Sequence, residues 1–289
     1  MKELPFKFRD QCWLLGHHTR IMGILNVTPD SFSDGGRFAE VERAVAQGIA
    51  LSNEGADIID IGGESTRPGA ETIDPATECE RVVPVIEALR QQVTVPISID
   101  TRKTTVAERA INAGADIVND VSGFRYDPTM MDLVRTSGAG CIIMHMLGRP
   151  ADMQKNIVYD NLIDDITRYF QDTLDDCAAN GIRNDQIMLD PGIGFGKTLQ
   201  HNLELINAVE QFRKIGRPLL MGPSRKSFIG TLTDVDDPAS RIWGTAAAVT
   251  ACILNGADVI RVHDVAAMRQ VGAVASALRT AAAKKTSTH

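Results

Sequence analysis

The sequence predicts an α/β protein: a single (β/α)8 TIM barrel with a short N-terminal hairpin. Three observations carry that expectation. Eight short apolar runs alternate with helical stretches over almost the whole chain. A phrase of Gly-Ala-Asp followed by a β-branched run recurs at Gly55, Gly114 and Gly256. Polar residues stand at the C-terminal end of nearly every run, where barrels of this kind place their active sites.

The elements follow in order. Residues 6–18 are expected to form the hairpin and close the barrel bottom. Strands are expected near residues 21–26, 58–62, 96–100, 117–119, 141–145, 187–190, 219–222 and 259–262. Each is a short apolar run, as strands buried on both faces require. Helices are expected over 41–54, 75–91, 105–113, 161–180, 203–214, 238–255 and from about 265 to 283. In the recurring phrase the glycine supplies the left-handed cap that ends each helix. The domain limits are then 1–19 for the hairpin, 20–283 for the barrel and 284–289 for a disordered polar tail. An open doubly wound sheet is the alternative arrangement of the same elements.

Composition narrows the class. The chain has 289 residues, 44% hydrophobic and 23% charged, enough apolar material for a large core. Its net charge of -7 and the lack of basic runs argue against a nucleic-acid partner. Five cysteines without a Cys-x-x-Cys pair read as free thiols in a reducing cytoplasm. No signal peptide follows Met1, and no run of 18 apolar residues suggests a membrane span.

The candidate site is the ring of strand ends: Asn26, Glu64 to Arg67, Asp100, Asn119, His145, Asp190, Ser224 with Lys226, and Arg261 with His263. Any one of these can be an ordinary loop residue or helix cap. Together they face one mouth, where buried acids and amides need a partner or ligand. Asn26 opens a loop rich in turn formers, and its amide oxygen suits a hard cation such as Mg2+ with substrate phosphates. Gly63-Glu64-Ser65-Thr66-Arg67-Pro68-Gly69 has the donors of an oxyanion loop.

Asp190-Pro191-Gly192-Ile193-Gly194-Phe195-Gly196-Lys197 is neither a dinucleotide fingerprint nor a P-loop. Its glycines are expected to let backbone approach a flat ligand that Phe195 covers. Asp190 can accept two N–H bonds from one heterocycle edge. Lys226, Arg261 and His263 suit an anion. A Schiff-base lysine at Lys226, a surface ion pair at Arg225 and a capping role for His263 are the alternatives.

These motifs together resemble the dihydropteroate synthase family of pterin-binding barrels, over roughly residues 20–280. Gly23 to Gly36 is similar to its first signature and Gly62 to Gly69 to its second. Asp190 to Lys197, Ser224 to Ser227 and Arg261 to Asp264 match later blocks in order. The resemblance implies an enzyme of folate biosynthesis, a transferase that joins 4-aminobenzoate to a dihydropterin methyl diphosphate, with Mg2+, and a target of sulfonamides. It implies pterin contacts at Asp100, Asn119, Asp190, Lys226 and Arg261, with Asp100, Asp190 and Lys226 catalytic. Diphosphate would meet Asn26, Thr66, Arg67, Arg261 and His263, with Asn26 on the metal. The aminobenzoate would meet Phe195, Ser224 and Pro68. Relatives are usually dimers, so a homodimer is implied.

Two departures stand out. Arg102-Lys103-Thr104 replaces a Ser-Lys-Pro pattern, which bears on how the next helix starts. Pro223 precedes Ser224 where relatives more often differ, which bears on how Ser224 is presented. Competing readings are a folate-binding methyltransferase barrel, which lacks the diphosphate loops, and a non-catalytic pterin-binding protein.

Overall fold

In the computed structural model, residues 2–28, 36–65 and 69–286 are described. Strands β1 (Leu4–Phe8) and β2 (Gln11–Leu15) pair antiparallel around a turn at Arg9 and Asp10. The barrel strands follow: β3 (Arg20–Asn26), β4 (Ile58–Gly62), β5 (Ile97–Asp100), β6 (Ile117–Asp120), β7 (Gly140–Met144), β8 (Ile187–Asp190), β9 (Leu220–Met221) and β10 (Val259–Val262). All neighbours in this eight-stranded sheet are parallel, in the order β8-β7-β6-β5-β4-β3-β10-β9. A parallel bridge between Leu189 and Leu219 joins the two ends, which makes the sheet a barrel rather than an open doubly wound sheet.

Helices cover the outside: α1 (Gly36–Asn53), α2 (Pro75–Arg90), α3 (Thr104–Ala113), α4 (Met130–Ser137), α5 (Leu162–Ala179), α6 (Leu199–Asn207), α7 (Val209–Arg213), α8 (Ser227–Thr233), α9 (Ile242–Leu254) and α10 (Val265–Thr286). Two of these, α4 and α8, are short segments that the sequence pattern did not announce. Helix α10 continues through Thr286, so Lys284 to Thr286 extend the helix where a polar tail was expected.

Strand periodicity sorts the interior. Side chains two apart share a face, so each strand sends its alternate residues into the barrel. The lowest inward layer is apolar: Met22, Ile58, Ile117, Ile142, Met188, Leu220 and Val259. Phe6 and Phe8 of β1 pack into that same cluster, both fully buried. The hairpin therefore plugs the barrel bottom, as the sequence suggested. Arg9 fixes it by donating to the carbonyl of Ala115, and Arg279 by donating to the carbonyl of Gly16.

One step up, five of the strands turn polar: Asp60, Ser98, Asn119, Asp190 and Arg261. Buried polar side chains there lie above the apolar plug at the C-terminal ends of the strands, where barrels bind ligands, which makes them a candidate floor for one.

Candidate active site

Arg261 is the centre of the floor. Its Nε donates to Asp60 Oδ2 at 2.6 Å and its Nη2 to Asp100 Oδ2 at 2.8 Å. Asn119 Nδ2 donates to the same Asp60 oxygen at 3.1 Å. Three strand-end residues expected from sequence, Asp100, Asn119 and Arg261, thus meet through a fourth, Asp60, that was not expected. Its signal was present: Asp60 sits two residues after Ile58 and two before Gly62, on the inward face of a fully buried strand. Asp60 is the one carboxylate in β4, and the apolar run around it gives no local sign of a polar role.

Several floor atoms have no protein partner. Asp60 Oδ1, Asp100 Oδ1 and Ser98 Oγ are buried and make no hydrogen bond among the described residues. Orphaned acceptors are costly, and at the C-terminal end of a barrel they suit ligand donors. Burial pushes the Asp100 carboxyl up to about 7, against the pull of the Arg261 guanidinium and with help from the Asp60 charge. Burial also raises Asp190, whose Oδ1 accepts from the Gly192 amide at 2.8 Å.

Lys226 follows β9, the strand beside that of Arg261, at the cap of α8, with its Nζ 4.1 Å from the centre of the Phe195 ring. Burial and the nearby Arg261 lower its pKa to about 8. Pro223 opens the turn that presents it: its carbonyl accepts from Lys226 N, and Arg225 adopts a left-handed φ of 58°. Arg225 itself pairs with Asp264, the ion pair that was its alternative role.

Ser224 Oγ lies 3.0 Å from His263 Nδ1 and accepts from the His263 amide at 3.2 Å. Burial, with Arg225 next, holds His263 down near 3, so it is a neutral ring. His263 can meet an anion as a hydrogen-bond donor, not as a cation.

In the glycine-rich segment after β8, Gly194 faces the Lys226 side chain, and its two neighbouring glycines serve backbone packing. A side chain at Gly192, φ 74°, would strike the His145 carbonyl at 2.0 Å. One at Gly196, φ 66°, would strike Leu147 at 2.7 Å. Gly192 and Gly196 let the segment approach the chain after β7. His145, one of the expected strand-end residues, packs under this segment. It is buried, and burial lowers its pKa to about 2, with Lys197 nearby pushing the same way. Its Nδ1 lies 2.9 Å from Lys197 Nζ.

The departure at 102–104 is absorbed by buried ion pairs. Arg102 donates to Glu64 at 3.0 Å and to Thr72 at 2.9 Å, and Lys103 bridges Glu64 and Glu78. The first amide of α3 is met by Asp127 Oδ2 at 3.1 Å, so the helix starts without the proline of the pattern. Glu64 and Lys103 therefore anchor the base of the β4–α2 connection. Thr66, Arg67 and Pro68, expected at the diphosphate and aminobenzoate, lie outside the described residues, as do residues 29–35.

Asn26 ends β3, half-buried. A Cβ built at Gly62 would sit 3.6 Å from Asp100 Cβ and 3.8 Å from Asn26 Oδ1. The missing side chain at Gly62 thus leaves a cradle between the amide oxygen and the acid. Among the described residues no group of three or more His, Cys, Asp or Glu is placed to hold a metal ion.

Comparison with known proteins points one way. The profile of the family described as pterin binding enzyme matches residues 22–263. Dihydropteroate synthase of Synechocystis sp. is 48% identical over 263 residues, 91% of each chain. Among solved structures, the Yersinia pestis dihydropteroate synthase with a sulfonamide drug complex superposes with a TM-score of 0.89. It is 40% identical, over 96% of this chain and all of that one. Xanthomonas albilineans dihydropteroate synthase with 4-aminobenzoic acid gives the same TM-score and identity, over 96% of this chain and 99% of that one.

Proposed function

We infer that the chain, which belongs to the pterin-binding enzyme family, is a dihydropteroate synthase. It condenses 4-aminobenzoate with (7,8-dihydropterin-6-yl)methyl diphosphate, giving 7,8-dihydropteroate and diphosphate for folate biosynthesis. The observation that carries this reading is the floor itself: orphaned acceptors on Asp60 and Asp100 beside cationic Arg261 and Lys226. A flat heterocycle rich in N–H groups suits the first pair, and an anionic leaving group suits the second.

The roles follow from the chemistry of each group. Asp190 accepts from the amino and ring N–H edge of the pterin, with Asn119 and Lys226 completing its hydrogen bonds. Arg261, held flat by two carboxylates, offers its guanidinium face to the ring. The C–O bond to diphosphate breaks, and the electron-rich dihydropterin carries the positive charge on its exocyclic CH2. Asp100 and Asp190 favour that charge. The aminobenzoate nitrogen then bonds the CH2, and its surplus proton passes to water. An aromatic amine is neutral at pH 7, so no nucleophile–base pair is needed.

Diphosphate leaves against Arg261, His263, Thr66 and Arg67. Ser224 meets the aminobenzoate carboxylate, and Phe195 with Pro68 meets its ring. Sulfonamides compete for the same place. At the cradle by Gly62, Asn26 would hold a Mg2+ ion through its amide oxygen, with substrate and water supplying the other oxygens. Bound there, the ion would neutralise charge on the diphosphate.

The barrel unit runs from residue 20 to the end of α10 at Thr286, with 1–19 as its plug. Exposed Trp243 and Leu254 on α9, and Val274 and Leu278 on α10, support a homodimer through this pair of packed helices. Five free cysteines, four of them buried, support a cytoplasmic setting. No helix among the described residues is long and apolar enough to cross a membrane.

The test supplies the dihydropterin diphosphate and Mg2+ with and without 4-aminobenzoate. The expected result is diphosphate release that needs the amine and yields dihydropteroate. Tight pterin binding with no dihydropteroate formed would leave only a pterin-binding protein.

A further inference from the structure

The buried Lys197 has no place in the chemistry above, yet it is only 3% exposed. A lysine ammonium in such a setting is expensive unless all three of its N–H groups are met. Here they are. Nζ contacts His145 Nδ1 at 2.9 Å, the His145 carbonyl at 3.1 Å and the Phe195 carbonyl at 3.0 Å. The pairing is self-consistent: the His145 ring is neutral, so its Nδ1 can accept.

We propose that Lys197 is a positioning residue for the aminobenzoate side of the site, pinning Phe195 to the chain after β7 so that its ring faces Lys226. This inference rests on the synthase reading given above. The lysine reaches back two residues to hold the backbone of Phe195, and across to the end of β7. Other contacts lace the same two segments together. Gln154 Nε2 donates to the Gly194 carbonyl at 2.8 Å, and the Tyr159 hydroxyl donates to the Gly196 carbonyl at 3.0 Å. Met153 and Met144 pack with Phe195 and Val121 in a small apolar cluster. Gly192 and Gly196 allow the close approach. The product of all these contacts is the place of one ring, whose other face meets the Lys226 ammonium.

A geometry held this way is expected to matter for one substrate more than the other. Lys226 and Asp190 bind pterin through their own side chains, whereas an aromatic acid depends on the surface that Phe195 presents. Lys197→Met keeps the length of the stem and removes the ammonium. The expected result is a KM for 4-aminobenzoate raised roughly tenfold or more, with pterin affinity changed less than about threefold. Gln154→Ala is the second variant, because Gln154 is exposed and its loss leaves the core intact. It should shift the aminobenzoate KM in the same direction by less.

A purely structural lysine would lower the melting temperature and the yield of active enzyme while leaving both constants alone. That result, or equal shifts in both constants, overturns the proposal. If Lys197→Met does not fold, an unchanged aminobenzoate KM in Gln154→Ala also overturns it. Failure of the wild-type protein to form dihydropteroate would instead refute the synthase reading, so the two failures are distinct.

Discussion

Arg261 on β10 and Asp60 on β4 meet at 2.6 Å across the intervening strand β3. Asp60 is fully buried and Arg261 is held on its other side by Asp100. Removing one partner of a buried pair leaves the other charge uncompensated. Asp60→Asn keeps the shape and removes the charge. It is expected to lower kcat/KM for the pterin substrate roughly ten- to a hundredfold, the worth of one hydrogen bond to a charged group, about 1.5–3 kcal/mol. Steady-state kinetics checks this; an unchanged kcat/KM would make Asp60 a mere spectator beneath the site.

Asp190→Asn is the matching test of the heterocycle contact. The acid already accepts the Gly192 amide on Oδ1, so the amide variant can keep the loop while losing charge toward a ligand. Pterin affinity, measured by calorimetry, should weaken by about 1.5–3 kcal/mol. Retention of full affinity removes Asp190 from its assigned role.

The acid–base profile should be bell-shaped. Burial lifts Asp100 to about 7, so below that pH the carboxyl is neutral and a pterin N–H loses a charged acceptor. Burial lowers Lys226 to about 8, so above that pH its ammonium is lost. The profile of kcat/KM against pH, which reports groups of the free enzyme, should peak between these values and fall about tenfold per pH unit on either side. Lys226→Arg keeps its charge at high pH. In that variant the alkaline limb should disappear while the acid limb stays.

Metal dependence follows from the cradle between Asn26 and Asp100. Chelation by EDTA should stop diphosphate release and added Mg2+ should restore it. Asn26→Ala should raise the Mg2+ concentration needed for half-maximal rate, because one oxygen ligand is gone. An Asn26→Ala enzyme with an unchanged Mg2+ requirement would place the ion elsewhere.

The barrel was legible because its strands are short apolar runs and its helices end in glycine, both local signals. Strand ends pointed to Asp100, Asn119, Asp190, Lys226 and Arg261, since polar groups there have few structural uses. What stayed hidden depends on contacts between distant segments. Asp60 looks like part of an apolar strand until period two turns it inward. Gly192 and Gly196 look like ligand contacts until His145 and Leu147 are placed against them. Helix α4 is eight residues long, too short for periodicity to separate it from a loop. The fate of Arg102 and Lys103 was unreadable because their partners, Glu64 and Glu78, lie on other elements.

The hairpin offers a test of the fold independent of the chemistry. Phe8 is fully buried among the lowest residues of the barrel strands, while Leu14 on the same hairpin is 63% exposed. Phe8→Ala removes a ring from a site closed on every side, and the cost of such a cavity is about 3–5 kcal/mol. Leu14→Ala touches surface only and should stay within about 0.5 kcal/mol. Urea unfolding of the two variants reads the difference as a shift in midpoint at constant slope. Because Phe8 lies beneath the layer that holds Asp60 and Asn119, the folded fraction of Phe8→Ala should keep its pterin affinity. Equal midpoints for the two variants would mean that the hairpin rests on the barrel without plugging it.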